Sequence, residues 1–234
     1  SAISGSALAE LTSYNGPDTA SSSRYTLNRA GSLLEAPSFV NNRGPAFTDI
    51  YDNTVTPLAF GGNGTNFLGD NLITTGTGDV RELEFSIGNA GTVVAGTGTL
   101  TRLDIGILIY QFDGVSGYNQ IYSNNFNDIA INLPHGNFTT LTLTDPGVSL
   151  TQTDIIVAVR LSDPVGTAAT NLFQIRANPV AVGSSDNDLV IGNTTAITGF
   201  AAFSGPNNNI MYRVAIPAPG SLALLGLGLS LIHI

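Results

Sequence analysis

The stretch Leu103-Asp104-Ile105-Gly106-Ile107-Leu108-Ile109-Tyr110 decides the fold class of this chain. Its odd-numbered positions are all apolar, and successive side chains of a β-strand point to opposite faces of a sheet. We therefore predict a strand over these residues whose core face carries Leu103, Ile105, Ile107 and Ile109.

The same alternation recurs in residues 81–87, 138–145 and 154–161. In the first of these runs it places Glu82 and Glu84 together on an outer face that we expect to be solvated. Residues 67–75, 171–177, 189–191 and 210–215 carry weaker versions of the pattern. The residues predicted to face the core are Leu83, Phe85, Ile87, Leu141, Leu143, Ile155, Val157, Val159 and Leu161.

The spacing of these runs predicts an all-β fold. No helical stripe appears before Ser221, so the strands are expected to pair antiparallel as a β-sandwich of the jelly-roll or Ig-like kind. A loop predicted over residues 112–137 is too long for a simple hairpin and favours the sandwich over a barrel. We expect a loosely structured N-terminal segment or linker at 1–44, with a partial strand or two, followed by the sandwich at 45–215 and a separate segment at 216–234.

Composition excludes several classes of function. The 234 residues contain no cysteine, so neither disulfides nor thiolate metal sites can form. Charged residues make up 11%, against about 25% in typical proteins, and the 27 glycines and 11 prolines indicate a turn-rich β protein. The formal charge of -9 argues against nucleic acid, whose phosphates require a basic face.

We predict no catalytic residue and no enzyme activity. His135, in the turn Pro134-His135-Gly136, is the one histidine outside the last two residues, and the chain has no Gly-x-Ser-x-Gly motif. The alternative is a glycoside hydrolase, which needs only two suitably spaced carboxylates among the 17 acidic residues. Glu82 and Glu84 are the closest glutamates, but solvated surface charges explain them better.

We predict no cofactor, with calcium as the alternative. Hard cations bind oxygen atoms of Asp, Asn and loop carbonyls, and Asp186-Asn187-Asp188 resembles the start of an acidic loop. Asp186 and Asp188 are therefore the candidate metal ligands. Both residue types are also common in ordinary turns.

Tyr110, Tyr118 and Tyr122 are the candidate ligand-binding residues. They surround the loop predicted at 112–137, whose Asn and Gln side chains could bind sugar hydroxyls. An aromatic ring can cover the apolar face of a sugar, but it also buries a large area when it packs within a protein. The alternative is that these rings hold the loop against the body of the fold.

The C-terminal segment begins with Ile216-Pro217-Ala218-Pro219-Gly220 and continues into a run rich in Leu, Ala and Gly. Two prolines one residue apart end the preceding strand and allow a helix to begin after Pro219. The pattern resembles the C-terminal sorting signal of PEP-CTERM proteins, in the form common in planctomycete members, although Ala218 stands where the motif usually has Glu. Residues 50–225 also resemble the extracellular domains that precede this signal. The predicted membrane segment is Ser221, Leu222, Ala223, Leu224, Leu225, Gly226, Leu227 and Gly228.

We expect the sequence to be truncated at both ends. Residues 229–234 are the translation of CTG TCT CTT ATA CAC ATC, the transposon end used in preparing sequencing libraries, and we interpret them as a library artefact. The chain begins with Ser1 rather than Met, and a bilayer span needs about 20 apolar residues.

The resemblance implies an exported structural or adhesive protein of the cell envelope, cell surface or extracellular matrix. Its expected partners are an exosortase-type processing enzyme, the inner membrane before processing, and exopolysaccharide. The alternatives are a carbohydrate-binding module, with or without calcium, and a hydrolase.

Overall fold

The computed structural model describes residues 24–31, 33–36, 47–54, 57–63, 65–89, 98–166, 172–177, 179–185, 188–202 and 209–218. Within these ranges the backbone forms strands, turns and bends, and no helix. The predicted all-β class is therefore confirmed. The helix predicted after Pro219 lies outside the described residues.

Strands are numbered in chain order. The larger sheet contains β1 (Arg24–Leu27), β2 (Leu33–Ala36), β3 (Phe47–Asp52), β4 (Pro57–Asn63), β7 (Glu82–Asn89), β10 (Phe138–Thr144), β13 (Leu172–Ala177), β16 (Asn209–Ile210) and β17 (Tyr212–Pro217). The smaller sheet contains β5 (Leu68–Ile73), β8 (Thr99–Phe112), β9 (Tyr118–Pro134), β12 (Asp154–Gly166), β14 (Asp188–Gly192) and β15 (Ile197–Ala202). A two-stranded pair joins β6 (Gly78–Asp79) to β11 (Ser149–Leu150).

Strand β7 is central to the larger sheet. It pairs with β10 along one edge, and with β17 and then β13 along the other. The smaller sheet runs in the order β15-β14-β5-β12-β8-β9. Between the described strands the β1–β10 pairing is parallel and the other pairings are antiparallel, as expected for strands without helical crossovers.

The two sheets share one contiguous hydrophobic core. All thirteen residues predicted to face the core from the four clearest runs are exposed by 2% or less. Those from residues 81–87 and 138–145 belong to the larger sheet, and those from 103–110 and 154–161 belong to the smaller sheet. All of them belong to the same cluster of buried side chains. The inward alternation predicted from the sequence is therefore confirmed in both sheets.

The prediction of a long loop over residues 112–137 is wrong. Strand β9 occupies most of it, and residues 113–117 form the short turn that joins β8 to β9. Asp128 has a φ of 57° next to a shift in register, and the core-facing residues change there from Phe126 to Ile129. A bulge of this kind displaces the alternation by one residue, so a simple period of two is not visible in the sequence.

Within the N-terminal segment, where a partial strand or two was expected, residues 24–27 and 33–36 form β1 and β2. Tyr25 and Leu27 of β1 are buried in the shared core. At the other end of the chain, β17 passes the boundary placed at residue 216 and ends at Pro217, which pairs with Phe47 of β3. The strands of the larger sheet thus extend beyond the predicted range on both sides.

Candidate functional site

The outer face of the smaller sheet carries a group of aromatic side chains. Tyr110 and Phe112 are two apart on β8, and Phe112 is paired with Tyr118 of β9, so strand alternation places all three on one face. The Phe112 and Tyr118 ring centroids are 5.7 Å apart in an edge-to-face arrangement. Phe200 of β15 completes the group, with its ring 6.2 Å from that of Tyr118. We call Tyr110, Phe112, Tyr118 and Phe200 the aromatic face.

The turn end of the β8–β9 hairpin bends over this sheet. Tyr118 lies on β9 and Phe200 on β15, and these strands are the two opposite edges of the smaller sheet. Five strand spacings would separate the edges of a flat sheet by about 24 Å. Because the two rings are in contact, the hairpin end must curve across the outer face towards β15.

The Tyr118 hydroxyl attaches the hairpin end to the sheet. It donates a hydrogen bond to Asp154 Oδ1 at 2.9 Å and accepts one from Asn71 Nδ2 at 2.6 Å. Asn71 Nδ2 also donates to Asp154 Oδ1 at 3.0 Å, which closes a three-membered network. Asn71 lies on β5 and Asp154 on β12, so Tyr118 is connected to two strands that are not neighbours of its own.

The hairpin turn is ordered by hydrogen bonds from its backbone N–H groups to the Asp113 side chain. Asp113 Oδ1 accepts hydrogen bonds from the backbone N–H groups of Val115, Ser116 and Gly117. These bonds stabilise the carboxylate and hold the pKa of Asp113 below its ordinary value. The turn therefore has a defined conformation although it is exposed to solvent.

A small apolar cluster of Phe67, Leu108 and Ala158 lies next to Tyr110. A Cβ atom on Gly106 would come within 2.9 Å of the Phe67 ring, so glycine allows this ring to approach β8 closely. The Arg160 guanidinium lies 5.8 Å from the Phe67 ring centroid, a cation–π distance. The partly buried Tyr110 packs against this cluster.

Tyr122 does not belong to the aromatic face. A register shift between Ile109 and Tyr110 inserts one extra residue in β9, and Tyr122 pairs with the core-facing Ile109. Ile121 and Tyr122 both pack partly against the shared core, and burial raises the pKa of Tyr122. The structure thus brings Tyr110 and Tyr118 together and places the third candidate on the opposite face.

The prediction that Glu82 and Glu84 are solvated is wrong. The Arg213 guanidinium, which is 1% exposed, lies 2.6 Å from both Asp49 and Glu82 and 3.8 Å from Glu84. Glu84 itself is 2% exposed. Burial alone would lower the pKa of Arg213, but the Glu82 hydrogen bond and the surrounding carboxylate charges together raise it. We call these four residues the Arg213 cluster.

A second buried polar group connects the two sheets. Asp70 of β5 is 1% exposed, and it accepts hydrogen bonds from Ser185 Oγ and from the backbone N–H of Ile210, both at 2.9 Å. Burial raises the pKa of Tyr212 well above its ordinary value, and the Asp70 charge adds to this effect. The same two causes raise the pKa of Tyr51. Sequence reasoning missed this group, although alternation in residues 67–75 places Asp70 between the core positions Leu68 and Leu72.

The described residues hold no group of three His, Cys, Asp or Glu side chains suited to a metal ion. His135 lies in the β9–β10 turn, where its backbone N–H donates to Gly98 O. Asp186 lies outside the described residues, and of Asp188 the structure describes the backbone, at the start of β14. A surface cavity of about 380 Å³ is lined by Arg29, Asp79, Arg81 and Asp145, of which Arg81 and Asp145 form an ion pair at 2.9 Å.

The sorting-motif residues lie at the limit of the described chain. Pro217 is the last residue of β17, and Ala218 follows it as a half-buried residue. Pro219, Gly220 and the predicted membrane segment at 221–228 lie outside the described residues. Among the residues that are described, no helix has the length and apolar character needed to span a bilayer.

Comparisons of the chain with protein-family models, with curated proteins and with solved structures give no match.

Proposed function

We propose that this chain is an exported structural or adhesive protein of the cell surface or extracellular matrix, built on a β-sandwich. The observation that carries the proposal is the aromatic face. Phe200 is 50% exposed, and its neighbours Tyr110, Phe112 and Tyr118 are half-buried, on a sheet whose inner side is fully packed. Half-buried rings grouped around one exposed ring form an apolar patch, which is typical of a contact surface.

The shared core supports a sandwich. The larger and smaller sheets each contribute the apolar side of their strands to one cluster of buried side chains. Two antiparallel sheets that bury facing surfaces in this way are the defining arrangement of a sandwich. The pairing of β7 with β10, β13 and β17 leaves the jelly-roll and Ig-like alternatives open.

The position of the motif supports C-terminal processing. Strand β17 lies between β3 and β7, and it ends at Pro217. Cleavage on the C-terminal side of Ala218 would therefore leave every described strand intact. This is the arrangement that an exosortase substrate requires, because the released domain must stay folded outside the cell.

The state of the acidic residues favours a non-catalytic role. Glycoside hydrolysis needs two carboxylates that face each other across a substrate, one of them able to donate a proton. Glu82 and Glu84 instead lie in the Arg213 cluster, where Glu82 is ion-paired at 2.6 Å and Glu84 is almost fully buried. Glu84 is therefore buried away from a polymer substrate, and Glu82 is held by Arg213.

The test is expression of the gene with its full C-terminal coding sequence in a host that carries exosortase. We expect a processed form in the extracellular fraction, and loss of processing when Pro217 and Pro219 are both replaced by alanine. Replacement of Pro134 and Pro146 by alanine is the matched control and should leave processing unchanged. Equal processing of the Pro217/Pro219 variant and the parent, or retention of the parent in the cytoplasm, would contradict the proposal.

A further inference from the structure

We propose that the aromatic face binds a neutral polysaccharide, with sugar rings stacked on Tyr110, Tyr118 and Phe200. This inference rests on the proposed function, because it names the ligand of the same contact surface. It differs from that proposal in requiring direct binding between the folded domain and a sugar polymer.

One ring is exposed, the other three are half-buried, and the contacts between them hold them in position. Phe200 is 50% exposed, and its ring contacts Tyr118 at 6.2 Å, which in turn contacts Phe112 at 5.7 Å. Phe112, Tyr118 and Phe200 thus form a connected row across the curved face, and Tyr110 lies two residues from Phe112 on the same face of β8. The apolar faces of sugar rings stack on flat side chains, and a fixed ring loses little conformational entropy on binding.

Polar side chains stand beside the rings. The Tyr110 hydroxyl donates to Oε1 of the exposed Gln120 at 2.9 Å, which leaves the Gln120 amide nitrogen to donate to a sugar hydroxyl. Tyr118 shares its hydroxyl with Asn71 and Asp154. A mixture of apolar surface with a few oriented hydrogen-bonding groups is the usual composition of a ligand site.

The geometry is established before any ligand arrives. The Tyr118 network connects the hairpin end to β5 and β12, and Asp113 orders the turn through three backbone hydrogen bonds. Tyr110 packs against the buried cluster of Phe67, Leu108 and Ala158. Because the contact surface is held in place by these interactions, binding does not have to order the hairpin.

The negative charge of the protein favours a neutral polymer over an anionic one. The chain has a formal charge of -9, and the carboxylates of Asp154 and Asp113 lie next to the aromatic face. An anionic polysaccharide would be repelled by this field, and repulsion between like charges is an effective source of selectivity. A neutral chain that relies on stacking and hydroxyl contacts avoids this cost.

The experiment is affinity electrophoresis of the full chain in gels containing dextran, hydroxyethylcellulose, galactomannan or xylan, with alginate as the anionic comparison. We expect retardation by at least one neutral polymer and none by alginate. Replacing Phe200 by alanine should lower the association constant by about tenfold, the equivalent of about 1.4 kcal/mol. Tyr118→Ala should weaken it at least as much.

Two matched variants act as controls. Phe47 is exposed to a similar degree, 39%, but it lies on β3 of the larger sheet, so Phe47→Ala should leave retardation unchanged. Tyr122→Phe alters a tyrosine on the core side and should also have no effect. Phe200→Ala removes an exposed side chain, so a defect in this variant is informative even if Tyr118→Ala fails to fold.

Absence of retardation by every neutral polymer, retardation by alginate alone, or equal weakening by Phe200→Ala and Phe47→Ala would overturn the inference. A protein that is processed and exported but not retarded would refute polysaccharide binding and leave the proposed function standing. A protein that is retarded but never processed would support polysaccharide binding and refute the proposed export and processing.

Discussion

Replacing Arg213 by methionine tests whether the Arg213 cluster stabilises the larger sheet. Methionine keeps much of the side-chain length and removes the charge. The substitution leaves the carboxylates of Asp49, Glu82 and Glu84 together, with Glu84 only 2% exposed. We expect a large loss of stability because three like charges would then share a site with little access to water.

The magnitude follows from the contacts. Arg213 makes two charge-assisted hydrogen bonds of 2.6 Å, to Asp49 and Glu82, and each such bond contributes about 1.5–3 kcal/mol. Removing one partner of a buried ion pair costs about 3–5 kcal/mol. Asp49 and Glu82 keep side-chain exposures of 25% and 22%, which allow some hydration. We therefore expect a loss of about 3–4 kcal/mol in the free energy of unfolding.

Urea denaturation measures this loss. The chain contains no tryptophan, so unfolding is followed by far-ultraviolet circular dichroism. With a slope of about 2–3 kcal/mol per molar urea, the midpoint should fall by about 1–2 M. The matched control is Arg102→Met, whose ion pair with Asp128 has the same length of 2.6 Å but side-chain exposures of 47% and 70%. This control should cost about 0–1 kcal/mol.

A second substitution separates charge from packing. Adding Glu84→Gln to Arg213→Met removes the most buried of the remaining charges and should restore part of the lost stability. The reasoning is wrong if Arg213→Met costs no more than Arg102→Met. It is also wrong if Glu84→Gln destabilises the parent and the Arg213→Met protein equally, because the two sites would then be independent.

Three further predictions concern packing, the hairpin and pH. Gly69→Ala should destabilise the protein by about 1–3 kcal/mol or more, because the added Cβ would lie 2.0 Å from a backbone oxygen. Gly199→Ala, with open space around the added Cβ, should be nearly neutral in the same urea assay. Tyr118→Phe should cost about 1–2 kcal/mol by removing the donor to Asp154, and thermal melting that matches the parent would contradict a role for this network. Burial raises the pKa of Tyr212 above that of the unfolded chain, so its contribution to stability is complete below about pH 10 and is lost as pH rises further. Part of the tyrosinate absorbance should therefore appear only as the protein unfolds, and ionisation of every tyrosine in the folded state would refute this.

The inward faces of the main strands were predictable because the signal is local. In residues 103–110 and 154–161, strand alternation assigns each side chain to a face without knowledge of its partner strand. The same reasoning failed in β9, where Asp128 and the bulge at Ile121 displace the alternation. Bulges depend on how two strands pair, and a single strand does not reveal its pairing.

The candidate site was predicted in part. Tyr110 and Tyr118 were recognised as aromatic residues near one another in sequence, but Phe200 was not, because it lies more than 80 positions away and reaches Tyr118 only after the hairpin bends over the sheet. Glu82 and Glu84 were assigned to the correct face of their strand. Their burial depends on Arg213, which is brought beside β7 by the pairing of β17.

The sequence by itself determined the all-β class, the inward residues and the absence of thiol chemistry. Alternation is visible over a few residues and composition over the whole chain, so neither depends on tertiary contacts. Only the tertiary structure decided which outer residues meet: Phe200 with Tyr118, and Arg213 with three carboxylates. These contacts join residues from strands distant in the chain, and they exist because the strand order and the curvature of the sheets bring them within a few ångströms.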